Sequence, residues 1–212
     1  MIPNWLLWAR ELQAAAQTGL SYAANPYEAA RYEGLRALAS RMIAEGADES
    51  QALVEGVFAA QSGYATPKVD VRACIFRKSA AGQGEVLLVS EIIDGGRWTF
   101  PGGFADVNDT PSEAVIREVR EEAGLVVKTT KLCAVYDRDK HGGTIPHPFH
   151  IYKLFFLCEI LGTCERSLLE TGEPQWFPVE AVPELSAERT QPWHIARMYE
   201  HFLHPELPAQ FD

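Results

Sequence analysis

No stretch of this chain approaches the about 18 consecutive apolar residues that a membrane helix needs, and the N-terminus has no basic region leading into an apolar run and a cleavage site. A secretory leader is therefore not expected, and a cytoplasmic protein is. Cysteine is scarce: the four residues Cys74, Cys133, Cys158 and Cys164 form no C-x-x-C pair. The first three fall in apolar, strand-like runs and read as buried reduced thiols rather than metal ligands or a disulfide. Positive charge is also short, with 19 Lys and Arg against 29 Asp and Glu for a formal net charge of -10. That balance excludes a general affinity for nucleic-acid backbone. It does not exclude a phosphate substrate, because a bound cation can invert the field locally. Internal repeats and low-complexity tracts are absent. What remains is globular: 47% hydrophobic and 23% charged residues over 212 positions suffice for one domain and a small additional one.

From Asn4 to Gly19 the residues Trp5, Leu6, Trp8, Ala9, Leu12, Ala15 and Ala16 recur at helical spacing, with Asn4 placed to cap. Further helices are predicted over Pro26 to Ala44 and Glu49 to Ala60, making a helical domain over residues 1–62. No chemistry stands out in it, and Trp5, Trp8, Tyr27 and Tyr32 read as packing or interface residues. Such a small unit has little core of its own and should lean on the rest of the chain or on a second copy. The segment SGYATPK, Ser62 to Lys68, has linker chemistry. Beyond it the period changes: strands are predicted at Val69 to Arg77, Glu85 to Glu91, Trp98 to Phe100, Val126 to Asp137, Phe149 to Glu159 and Trp176 to Pro178. A last helix spans Pro192 to Leu203, followed by a Pro-containing tail. Strands and helices mixed in this way define an α+β domain over residues 67–212.

The most informative stretch is Gly102 to Leu125, GGFADVNDTPSEAVIREVREEAGL. Thr110 suits an N-cap, Pro111 the first helical position and Glu113 the reciprocal carboxylate of a capping box, while Gly124 supplies a stop. Val115, Ile116 and Val119 form a narrow apolar stripe. Glu118, Glu121 and Glu122 then crowd the last turns. Like charges one turn apart cost about 0.2–0.5 kcal/mol, and all three lie near the negative end of the helix dipole. A compensating positive group is expected, with Arg117 and Arg120 pointing partly elsewhere. A solvated surface helix could carry the same charges. The setting favours another reading, because the helix follows an aromatic strand and a Gly-Gly turn, and clustered hard oxygens suit a magnesium ion shared with substrate phosphates.

The stretch resembles the Nudix box. Gly103, Arg117, Glu118, Val119, Glu121, Glu122, Gly124 and Leu125 match that pattern in register, and Asp109 stands where the family has Glu. The resemblance implies an α/β/α sandwich with a mixed sheet over roughly residues 67 to 205 and hydrolysis of a pyrophosphate bridge in a nucleoside diphosphate linked to another group. It implies Mg2+ as cofactor, with Mn2+ as a substitute, held by Glu118, Glu121, Glu122 and the Gly103 carbonyl. Arg117 would hold the loop and carboxylates in place with Asp109. Family members differ in their general base, so Glu121, Glu170 and Glu173 are all candidates.

The segment YDRDKHGGTIPHPFHIY, Tyr136 to Tyr152, is rich in histidine and joins two strands. His147 and His150 flank a Pro-Phe pair that suits an extended, rigid loop, which favours phosphate or base contact over zinc. Arg97 and Phe104, on either side of the glycine turn, complete the candidate substrate contacts. With the N-terminal helices, KVDVRACIF and HPFHIYKLFF, the likeness narrows to nucleoside diphosphate-X hydrolases with a helical N-terminal domain, of the CDP-choline and ADP-ribose pyrophosphatase kind. It implies a homodimer and, for a choline substrate, an aromatic site for the quaternary ammonium. A non-catalytic nucleotide sensor or an interaction protein on the same fold is the alternative, against which the intact Glu118, Glu121 and Glu122 speak.

Overall fold

A computed structural model describes residues 3–141, 147–167 and 171–212 of the chain. Two compact units are defined: residues 3–68 with 147–150, and residues 69–141 with 151–167 and 171–212. No helix of the described residues is long and apolar enough to cross a membrane.

The first unit consists of α1 (Asn4–Tyr22), α2 (Pro26–Ala47) and α3 (Gln51–Ala59). Its core holds Leu6, Ala9, Ala39, Ile43, Ala44, Val54 and Phe58. Asn4 lies inside the first helix rather than capping it: Pro3 occupies the N-cap position and offers no side-chain acceptor. The cap missed in sequence is Asn25, whose side chain accepts the N–H groups of Tyr27 and Glu28 at 3.1 and 3.0 Å. Trp5 and Tyr32 serve packing, each laid against a glycine: a Cβ on Gly46 would come within 2.4 Å of the Trp5 ring, and one on Gly19 within 2.2 Å of the Tyr32 ring. Trp8 and Tyr27 are exposed, at 57% and 83%.

The second unit is an α/β/α sandwich. One sheet runs β1 (Lys68–Cys74), β6 (Ile151–Thr163), β5 (Leu125–Asp137) and β8 (Gln210–Phe211). In the other, β3 (Gly84–Glu91) pairs antiparallel with β2 (Phe76–Lys78), β4 (Arg97–Thr99) and β7 (Gln175–Pro178). The expected single strand from Val69 to Arg77 is divided at Ile75, because the chain passes there from one sheet to the other. Burial on both faces from Asp70 to Phe76 marks this crossing.

Alternation along β1 feeds two cores. Val71, Ala73 and Ile75 join Leu87, Val89, Val115, Val119 and Phe156 beneath α4 (Pro111–Ala123), whereas Cys74 and Phe76 join Phe100, Phe155, Ile195 and Met198 beneath α5 (Pro192–Leu203). Cys74, Cys133 and Cys158 are buried free thiols. The β6 strand starts later than expected, since His147 to Phe149 close a local turn in which the Phe149 N–H donates to the His147 ring at 3.2 Å. It then continues to Thr163, antiparallel to β5. The parallel pairing of β8 with Ala134 and Val135 was not foreseen. Two residues after a proline carry no periodicity to read.

The glycines of α2 permit a test of the packing. Replacing Gly by Ala in an open helical site stabilises by about 0.5–1 kcal/mol, so G34A, which meets nothing within 4 Å, should raise the unfolding midpoint. G46A should lower the midpoint, costing about 1–3 kcal/mol of stability through overpacking against Trp5. Equal shifts in thermal unfolding would contradict this placement of Trp5.

Candidate active site

Between β4 and α4 the chain turns along the edge of β1. The Val71 N–H donates to the Gly103 carbonyl at 2.8 Å, Ala73 to Pro101 at 2.8 Å and Ala105 to Val69 at 2.9 Å. This approach requires glycine at 102, where φ is +144° and a Cβ would sit 2.0 Å from the Val71 carbonyl oxygen. The turn in turn aims the Gly102 N–H at the Glu122 carboxylate, 2.8 Å away. At Gly103 a Cβ would stand 3.2 Å from a Glu118 carboxylate oxygen, so the box helix and the turn meet with little space to spare.

Helix α4 is built as its sequence requires. Thr110 and Glu113 form the reciprocal capping box and Gly124 ends the helix in the left-handed region. Val115 and Val119 are fully buried, each contributing about 1.5–3 kcal/mol. That exceeds the about 0.2–0.5 kcal/mol of a like-charge pair one turn apart. The apolar stripe therefore holds the acidic face in position.

Arg117 lies among the carboxylates and pairs with Asp109, as the resemblance implies, rather than pointing partly elsewhere as its helical position alone suggests. Its Nε donates to Asp109 at 3.0 Å, and one terminal nitrogen reaches Glu118 at 2.9 Å and Glu121 at 3.3 Å. The other contacts Asp106 at 3.3 Å and the Phe104 carbonyl at 3.4 Å. The loop residues Asp106 and Asp109 draw the guanidinium across the helix face. Burial opposes its charge, but the hydrogen bond to Asp109 and the charge of Glu118 outweigh this and raise its pKa above the ordinary value.

Glu122 is only 7% exposed. Burial pushes its carboxyl up to about 8, against the opposing effects of the Gly102 N–H and the Arg72 charge. Glu118 is raised as well, first by burial, with Arg117 opposing. Arg72 is buried, paired with Asp70 at 2.8 Å, and it donates to the Phe100 carbonyl at 3.3 Å ahead of the glycine turn.

Arg117, Glu118 and Glu122 line a cleft of about 270 Å³ with Phe104, Asp106, Glu121, Ser167 and Thr171. Four carboxylates, Asp106, Glu118, Glu121 and Glu122, face one guanidinium there. Such a cleft repels a diphosphate and attracts a small hard cation, and its donors are the oxygens that Mg2+ prefers. Among the described residues, no three His, Cys, Asp or Glu side chains converge as a complete cage. Glu121 is paired through both oxygens, to Arg117 and Arg120, whereas Glu118 gives one oxygen to Arg117 and Glu122 is held by the Gly102 N–H. Glu118 and Glu122 are therefore the pair best suited to a cation, beside a Gly103 carbonyl that accepts the Val71 N–H.

The other candidates are dispersed. Phe104 is half-exposed on the cleft wall. Glu173 is 77% exposed in its side chain and paired with Arg166 at 2.9 Å; it is not among the cleft-lining residues. Arg97 is engaged by Asp94 and Glu184, both at 2.8 Å. Glu170 lies outside the described residues. His147 and His150 belong to the helical unit, where the His147 carbonyl accepts Arg10 at 3.0 Å and the His150 carbonyl accepts the Lys68 N–H at 2.9 Å. Asp106, Ser167 and Thr171 were missed. Asp106 could have been found as a second acid in the box loop, whereas the other two reach the cleft through tertiary contacts that leave no local signal.

This architecture defines a hydrolase domain. Residues 66–202 match the model of the NUDIX domain, and residues 3–58 match that of a UDP-X-like, N-terminal oligomerisation domain. A "Putative ADP-ribose pyrophosphatase" of Bacillus subtilis is 33% identical, covering 99% of this chain and 97% of its own length. The crystal structure of a UDP-X diphosphatase is 28% identical with a TM-score of 0.60, covering 99% of this chain and 98% of that one. That of an ADP-ribose pyrophosphatase from Streptococcus suis is 31% identical with a TM-score of 0.60, covering 69% of this chain and 100% of that one. The chain belongs to the Nudix family. Within the family it is a pyrophosphohydrolase with a helical N-terminal region.

The raised Glu122 pKa predicts a specific pH dependence. The folded, metal-free protein keeps this proton up to about 8, whereas the unfolded chain releases it near 4.5. The folded state therefore binds more protons across that window, and the contribution to stability falls as pH rises through it. E122Q removes this contribution. Thermal unfolding in chelator should show E122Q gaining on the wild type between about pH 5 and about pH 9; a constant difference would contradict the assignment.

Proposed function

We propose that the chain is a Mg2+-dependent hydrolase of a nucleoside diphosphate linked to a second group, of the ADP-ribose, CDP-choline or UDP-linked kind. The products are a nucleoside monophosphate and the phosphorylated second group. The reading is carried by the buried Glu122 carboxylate, fixed on the Gly102 N–H and raised to about 8, facing Glu118 across a four-carboxylate cleft. A buried acid whose charge is disfavoured in the free protein is one that a cation completes.

Glu118 and Glu122 would hold the ion with the Gly103 carbonyl, and Glu121 lies close enough to share it. An ion held there would supply neutralisation of the phosphate oxygens and a lowered pKa for the attacking water. Water adds at one phosphorus, the bridging oxygen leaves with the other phosphate, and the proton passes to a carboxylate. Glu121, which lines the cleft, is the preferred acceptor; Glu173 is not among the cleft-lining residues. Arg117 ties the loop at Phe104, Asp106 and Asp109 to Glu118, so that the loop and the helix move as one. Phe104 offers an aromatic face to the base or the second group. His147, His150 and Arg97 remain candidate contacts, each tested by its alanine variant.

The match of residues 3–58 to an oligomerisation domain supports a homodimer. A cytoplasmic location fits the reduced thiols.

Incubation with Mg2+ and separate samples of ADP-ribose, CDP-choline, UDP-linked sugars, dinucleotides and nucleoside triphosphates, with product identification, tests the reading. Cleavage between the two phosphates of at least one diphosphate compound is expected. E122Q should lower kcat by about 100-fold or more while keeping its far-UV spectrum. Turnover of none of them by the wild type would refute the enzyme assignment.

A further inference from the structure

The last carbonyls of a helix have no intrahelical partner, and in α4 these belong to the residues that carry the acidic cluster. The segment after β6 satisfies them. The Ser167 N–H donates to the Glu121 carbonyl at 2.9 Å, and the Cys164 N–H to the Gly124 carbonyl at 2.8 Å. Arg166 adds a charged donor to these contacts. One terminal nitrogen donates to the Glu122 carbonyl at 3.3 Å and also to the Gly172 carbonyl, while the other pairs with Glu173 at 2.9 Å. Thr171 adds its hydroxyl to the Glu122 carbonyl at 3.4 Å.

The side chain of Arg166 is 11% exposed, so this is an internal strap rather than a surface pair. Its far end is anchored in turn, because the Gly172 N–H donates to the Ser90 carbonyl on β3 at 2.8 Å. The box glycine makes room for it: a Cβ on Gly124 would lie 3.1 Å from the Arg166 Cβ and 3.0 Å from the Cys164 carbonyl oxygen. Arg166 thus brings a positive charge to the carbonyls at the helix C-terminus from 44 residues beyond Glu122, while Arg117 within the helix meets the carboxylates themselves.

We propose that Arg166 is a positioning residue for the hydrolysis. By holding the Glu122 and Gly172 carbonyls together it locks the last turn of α4 against residues 164–167 and 171–173, and so sets the direction in which the Glu121 and Glu122 side chains enter the cleft. It touches neither ion nor substrate and acts through the helix end. The role rests on the functional reading above. It extends that reading by making the geometry of the cluster depend on a residue outside the box.

The test uses the full chain with R166M and R166K, reading Mn2+ binding from the loss of the free-ion EPR signal, kcat and KM for the compound the wild type cleaves, and thermal unfolding without metal. R166M should weaken Mn2+ binding and lower kcat, each by about 10-fold or more, with KM within about threefold of wild type. R166K keeps the charge but cannot span both carbonyls and Glu173 with a planar fork. It should recover the unfolding midpoint without recovering kcat or Mn2+ affinity. Should R166M fail to fold, R166K decides by the same two readouts. Wild-type Mn2+ affinity and kcat in R166M, or their full return in R166K, would overturn the proposal. A wild type that cleaves none of the compounds would defeat the functional reading alone, leaving Mn2+ binding to decide on Arg166.

Discussion

One hydrogen bond fixes the rest of the site: the 2.8 Å contact from the Gly102 N–H to the carboxylate of Glu122. It joins the turn after β4 to the last turn of α4, and it partly offsets the burial of a carboxylate. For the N–H to point there, residue 102 must take a backbone angle of +144° with nothing between it and the Val71 carbonyl. For the carboxylate to be there, α4 must run from its Thr110 cap to its Gly124 stop in one register. Everything on the acidic face follows from those two demands.

The electrostatics are deliberately incomplete. Arg117 and Arg72 stabilise the ionised forms of Glu118 and Glu122, yet burial still leaves both carboxyls raised. Were the cations sufficient, the cleft would have little affinity for a metal ion. A helix with three glutamates in its last two turns persists because the burial of Val115 and Val119 outweighs the local repulsion, about 1.5–3 kcal/mol each against fractions of a kcal/mol. Stability comes from the apolar stripe, and the acidic face is left with unmet demand that a bound ion can satisfy.

Much of this was legible in the sequence, and unevenly so. The α4 helix was read to the residue, because capping box, proline, stripe and glycine agree across independent signals. The match at Gly103, Arg117 and the three glutamates located the cleft. For Arg117 helix geometry alone points outward, whereas the resemblance, which pairs it with Asp109, agrees with the hydrogen bond found there; the further contact with Asp106 lies outside any helical projection. Ile75 hid a change of sheet inside an unbroken apolar run, since burial on both faces removes the period on which strand boundaries depend. Asn25 was overlooked as a cap although its Pro-Tyr-Glu sequel is an ordinary signature. Arg166, Ser167 and Thr171 could not have been found by inspection, because the groups they meet in α4 are backbone carbonyls more than forty residues away.

The central claim is that Glu118 and Glu122, with the Gly103 carbonyl, form the seat of a divalent cation. Anomalous diffraction from crystals of the full chain grown with Mn2+ tests it directly. The account predicts a peak within ligand distance of both carboxylates, beside the Gly103 carbonyl and clear of Arg117. A peak elsewhere, or none at saturating Mn2+, would contradict it.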